Sequence, residues 1–96
     1  MTPEKILETI EIYRKFFEES GFKKVEHLHD ELLTSNQAGF EHCYGMLDRM
    51  VRFVHEGRTE KAFRWLDFIQ GFLWAHRIYT LAELKDHNRT KGLLDP

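Results

Sequence analysis

A chain of 96 residues, 42% hydrophobic and 14% aromatic, suits one globular domain and is too short for two. Its formal net charge of -2 lacks the basic excess with which proteins track a duplex phosphate backbone, so duplex nucleic acid is not an expected partner. The single cysteine, Cys43, excludes an internal disulfide, and no run of about 18 apolar residues is present to cross a membrane.

TPEKILETIEIYRKFFEESG predicts a helix over 3–20. Thr2 can cap it, Pro3 suits the first helical position, and Glu4 complements the positive end of the helix dipole. Ile6, Ile10, Tyr13 and Phe17 form one apolar stripe, and Gly21 supplies the left-handed stop. In FKKVEHLHDELLTSN, Phe22, Val25, Leu28 or His29, and Leu32 or Leu33 recur every three to four positions, which predicts a short helix over 23–33. Thr34, Ser35 and Asn36 read as the cap of a helix over 36–56, faced by Phe40, Tyr44, Leu47, Val51 and Val54 and ended by Gly57. The next helix is expected over 59–77. Thr80 and Glu83 are spaced as a capping box, with Tyr79 and Leu84 as a hydrophobic staple, so a last helix covers 81–88. TKGLLDP, residues 90–96, reads as a frayed tail. No strand alternation, phosphate loop or repeat breaks the pattern, and the expected fold class is all-α, a bundle of four to five helices.

EKAFRWLDFIQGFLW, residues 60–74, holds five aromatics interleaved with polar residues. At about 100° per residue, Ala62, Trp65, Leu66, Ile69, Phe72 and Leu73 share the arc that must face the core. The opposite face carries Arg64, Asp67 and Gly71, flanked by Phe63, Phe68 and Trp74. Two readings fit that face. Arg64 and Asp67 can pair at i, i+3 while Gly71 and Ala75 form a groove for a close helix crossing. Alternatively, a glycine that costs about 1 kcal/mol of helix propensity lets a ligand or partner approach between aromatic walls, gripped by an arginine.

Six histidines invite a metal reading, above all in HLHDE at His27, His29, Asp30 and Glu31. His27 and Glu31 share a helix face, and Glu26 with His29 forms one Glu-x-x-His, but a di-iron bundle needs two such motifs and further glutamates. No metal ligand is therefore assigned, and no cofactor is expected. His42 and Cys43 are neighbours in sequence and would point about 100° apart on a helix, which disfavours a dyad. Cys43 reads as a small buried hydrophobe. With two serines and no nucleophile elbow, no catalytic constellation is present and enzyme activity is not expected.

Charge is unevenly spread: residues 1–34 carry five Lys/Arg against eight Asp/Glu, and residues 58–96 seven against five. The mild C-terminal excess suits a small anion or an acidic partner. The aromatic content predicts a homo-oligomer in which a second subunit covers apolar surface. The lone cysteine and the lack of a charged segment followed by an apolar one at the start lead to an expected cytoplasmic location.

The stretch GRTEKAFRWLDFIQGFLW followed by IYTLAELKDHNR resembles a group of small, uncharacterised helical proteins encoded by bacteriophages and prophages, over residues 57–89. Gly57, Arg58, Glu60, Lys61, Arg64, Trp65, Gln70, Gly71, Trp74, His87, Asn88 and Arg89 match its pattern, whereas Asp67 replaces a small residue. The resemblance implies a phage protein in the bacterial host cell, of a kind that often inhibits host defences or redirects host enzymes. The resulting expectation is a binding protein whose surface comprises Arg58, Lys61, Arg64, Gln70, Trp74, His87, Asn88 and Arg89. Its partner is a host protein or a nucleotide-like signal stacked on Trp74 with its phosphate on Arg64 and Arg89. A purely structural helical oligomer and a metal-binding protein or enzyme built on the histidines are the competing readings.

Overall fold

Thr2 opens the first helix, α1 (Pro3–Glu19), by accepting a hydrogen bond from the Lys5 amide at 3.1 Å, with Pro3 in the first turn. Ser35 caps α2 (Asn36–His55) through the Ala38 amide, and α3 (Thr59–Ala75) follows after the turn at Gly57. Thr80 and Glu83 close both bonds of a capping box at the start of α4 (Leu81–Asn88). This computed structural model describes residues 1–89; the frayed tail expected over 90–96 lies outside the described residues. Among the described residues there is no strand, and the all-α class expected from the sequence is the observed one. No described helix is long and apolar enough to cross a membrane.

The helices α1, α2 and α3 pack against one another in a triangle, and α4 lies along α1. Ile6, Ile10, Tyr13 and Phe17 from α1 meet Leu47 and Met50 from α2 and Leu66, Ile69 and Leu73 from α3, all fully enclosed. Full burial of each such side chain contributes about 1.5–3 kcal/mol, so this apolar interior holds the three long helices together. Cys43 is enclosed there too, and burial pushes its thiol up to about 12, which leaves it an inert core hydrophobe.

Three chain reversals end helices in the same way. After α1 and α2, Gly21 and Gly57 adopt left-handed φ of 76° and 79°, and the next amide donates back to Phe17 and Phe53 respectively. After α3 the same position is Arg77 at φ 66°, with the Ile78 amide donating to the Leu73 carbonyl at 2.9 Å. Without a glycine to mark the stop, the sequence reading ran this helix to residue 77, two residues too far.

Residues 23–33 are not the helix their apolar spacing suggested. Residues 22–35 run as an irregular strap across α2. Leu28, Leu32 and Leu33 are exposed, because the triangle of long helices already fills the interior and leaves no face for a fifth helix to cover. The strap is instead tied outside its own sequence. Phe22 stacks on Phe40 with centroids 4.9 Å apart, the Val25 amide donates to the Glu41 carbonyl at 3.3 Å, and Lys24 pairs with Asp48 at 3.0 Å. A Cβ on Gly45 would lie 2.9 Å from the Val25 carbonyl oxygen, so only glycine lets the strap backbone sit this close to α2.

Candidate functional site

A half-open pocket of about 400 Å³ lies between the strap, α2 and α3. That volume falls within the roughly 300–1,000 Å³ typical of small-molecule sites. The strap contributes Glu26, His27 and His29; α2 contributes His42, Gly45, Met46 and Arg49; α3 contributes Arg64, Trp65 and Phe68. Trp65 is fixed edge-on against Phe53 with centroids 4.9 Å apart, and the Arg49 guanidinium lies 5.3 Å from the Trp65 ring. Phe68 is 57% exposed at the rim.

Two guanidiniums face one carboxylate here: Arg49 reaches Glu26 at 3.7 Å, and Arg64 reaches Glu60 outside the pocket at 3.8 Å. Both pairs are long and partly solvated, so they bind their arginines weakly and leave donors for an incoming anion. His27 and His42 lie with ring centroids 5.8 Å apart. Nε2 of His27 and Nδ1 of His42 are enclosed by protein with no hydrogen-bond partner among the described residues. A buried polar atom left unpaired costs about 1–3 kcal/mol, and among the described residues both such side-chain atoms lie in these two imidazoles. Burial, then the neighbouring His27 and His29, hold the His42 imidazole below its ordinary value. Among the described residues no three His, Cys, Asp or Glu side chains converge to hold a metal ion. The lining thus offers aromatic faces for a planar ring and guanidinium and imidazole groups for an anion.

The residues expected to form one surface fall into several places. Arg64 lines the pocket. Arg58 and Lys61 lie over Phe53, at 5.0 and 4.7 Å, and Arg89 pairs with Asp86 at 3.8 Å on the surface. Trp74, half exposed, borders a separate open depression with Arg77 and Leu81. Gln70, His87 and Asn88 come together, but inward. Gln70 is 6% exposed and donates to Tyr13 Oη at 2.8 Å and to Asn88 Oδ1 at 2.6 Å, while Asn88 Nδ2 donates back to Gln70 Oε1 at 3.1 Å. The Tyr13 oxygen accepts from Gln70 and lies 2.9 Å from His87 Nδ1, to which it donates when that nitrogen is unprotonated. Burial, the larger effect, also lowers the His87 pKa. This network clasps α4 to α1 and α3, and Asn88 meets the middle of α3 rather than its Arg58, Lys61, Arg64 end.

The outer face of α3 also departs from the close-packed reading. Arg64 pairs with Glu60, not Asp67, and among the described residues a Cβ on Gly71 would meet nothing within 4 Å, so no described helix crosses there. Arg64, Asp67, Phe68, Gly71, Trp74 and Ala75 are all exposed.

The sequence reading missed the pocket as a unit. It judged His27 and His29 by their spacing on a helix that does not form, and His42 only against Cys43. The available signal was Gly45, a glycine inside an otherwise continuous helical pattern, which marks a close approach by another segment. No family model, curated protein or solved structure matches the chain.

Proposed function

We propose that this chain is a non-catalytic binding protein that captures a small nucleotide-like anion in the pocket between the strap, α2 and α3. The observation that carries this reading is the lining itself: Trp65 and Phe68 beside Arg49, Arg64 and the imidazoles of His27 and His42. Stacking on an aromatic contributes about 1–3 kcal/mol per base, and a guanidinium gives phosphate a bidentate partner. The binding surface first expected around Trp74 and Arg89 moves in this reading to the other end of Arg64's reach, under the strap. Sequestration of a host signal, the role implied by the phage-type resemblance, needs only such capture and no chemistry.

Thermal-shift and tryptophan-fluorescence titration with cyclic AMP, cyclic GMP and cyclic dinucleotides tests this, with adenosine as the uncharged control. Binding of a nucleotide that adenosine does not reproduce, and that Arg49→Ala and Arg64→Ala each weaken about tenfold or more, is the expected result. No response to any nucleotide sinks the proposal.

A second reading concerns assembly. Phe68 and Trp74 flank Gly71 on the exposed face of α3, with open space above the glycine. A second copy laid across that face gives the homo-oligomer expected from composition. Light scattering across a concentration series tests it: a monomer at every concentration removes this reading and leaves the pocket untouched.

A further inference from the structure

Two imidazoles with unpartnered, enclosed nitrogens stand in the wall of a pocket that already holds two guanidiniums. From this geometry we infer that His27 and His42 are the proton-linked part of the site: an anion binds to them in their protonated form, so that capture takes up protons from solvent. The inference rests on the pocket reading above and specifies how its affinity is regulated.

The groups facing the pair explain the direction. From the strap come Glu26 and His29, from α2 Arg49, and from α3 Arg64. Of these, Glu26 alone is acidic, and it is engaged with Arg49 at 3.7 Å. In the empty pocket a proton on His42 is therefore opposed by burial and by positive neighbours. An anion seated among Arg49, Arg64 and the imidazoles supplies the missing countercharge. It stabilises the imidazolium and is itself held more tightly by it. By linkage, anything that binds the protonated form better raises its proton affinity and binds more tightly as pH falls. Both imidazoles line the pocket beside Arg49 and Arg64, so a proton on either adds positive charge next to the seated anion.

The test uses intact protein and 3′,5′-cyclic AMP, whose phosphodiester does not titrate near neutrality, so protons taken up belong to the protein. Calorimetry at about pH 7 in two buffers of different ionisation enthalpy reads the uptake directly. Proton uptake, with affinity tightening about three- to tenfold for each unit the pH falls between about 8 and 6.5, is the expected result. His42→Asn and His27→Gln replace each imidazole with a neutral amide; together they should weaken binding most at the acid end of the range, abolish uptake and flatten the pH profile. The imidazole resonances of His42 in the unaltered protein should titrate at higher pH once cyclic AMP is bound, which gives a readout independent of any variant. Binding without uptake, or uptake that survives the double substitution, overturns this inference and leaves the pocket reading standing. Failure of cyclic AMP and its relatives to bind at all removes both.

Discussion

Gln70→Ala isolates the clasp that holds α4. Gln70 is 6% exposed and takes part in hydrogen bonds of 2.8, 2.6 and 3.1 Å, each with a net contribution of about 1 kcal/mol. Truncation also leaves a small cavity at the α1–α3 junction, worth roughly another 1 kcal/mol before relaxation. Asn88 is only half-buried and can turn its amide to water, which offsets part of the loss, so the expected destabilisation is about 2–4 kcal/mol. Against a domain stability of about 5–15 kcal/mol this is a large fraction. Urea denaturation followed by circular dichroism, with an unchanged m-value, measures it. Asn88→Ala alone should cost about 1 kcal/mol, and the double-mutant cycle should show a coupling of about 1–2 kcal/mol, since the two amides bond each other. An eight-residue helix is too short to be stable by itself, so hydrogen exchange across residues 81–88 should accelerate well before the rest of the chain in Gln70→Ala. A change below about 0.5 kcal/mol with zero coupling would refute the clasp and return Gln70 and Asn88 to the list of candidate ligand contacts.

Other substitutions probe single features. Gly71→Ala, where a Cβ meets nothing within 4 Å, should stabilise the chain by up to about 1 kcal/mol in thermal unfolding, and destabilisation would reveal a close contact at α3's outer face. Arg77→Gly should also stabilise, by about 1 kcal/mol, by relieving a left-handed backbone at φ 66°; an unchanged midpoint would show that the arginine's contacts compensate. Gly45→Ala should destabilise by about 1–3 kcal/mol despite its better helix propensity, because a Cβ 2.9 Å from the Val25 carbonyl pushes the strap off α2, and cyclic AMP binding should weaken with it. Acid should destabilise the fold. His42 and His87 both have lowered pKa values when folded, so the unfolded chain binds more protons below its ordinary histidine value. Their contribution is complete above about pH 6.5 and is lost as pH falls through the folded values; urea midpoints that are flat from about pH 7 to 5 would contradict this.

What the sequence made legible follows the rules that act locally. The caps at Thr2, Ser35 and Thr80, the left-handed stops at Gly21 and Gly57, and the stripe of Ile6, Ile10, Tyr13 and Phe17 depend on residues within one or two turns, and all are realised. Ala62, Leu66, Ile69 and Leu73 fell on the buried arc of α3 as periodicity required. Two kinds of information lay beyond that reach. The strap carries helical spacing, but whether a helix forms there depends on whether any core face remains to receive it, a property of the other three helices. The roles of Gln70, His87 and Asn88 depend on where α4 docks: the same polar residues that look like binding chemistry in sequence become a closed network when they meet Tyr13. Arg64 alone among the sequence-derived site residues lines the pocket, because the other walls come from the strap and from α2.

An NMR titration of isotope-labelled protein with cyclic AMP tests the central claim most directly, since it reports where binding occurs residue by residue. Resonances of Glu26, His27, His29, His42, Arg49, Trp65 and Phe68 should shift together along one saturating curve, with the indole of Trp74 and the backbone of Arg89 unmoved. Shifts centred on Trp74 and Arg89, or none at concentrations up to the millimolar range, would contradict it.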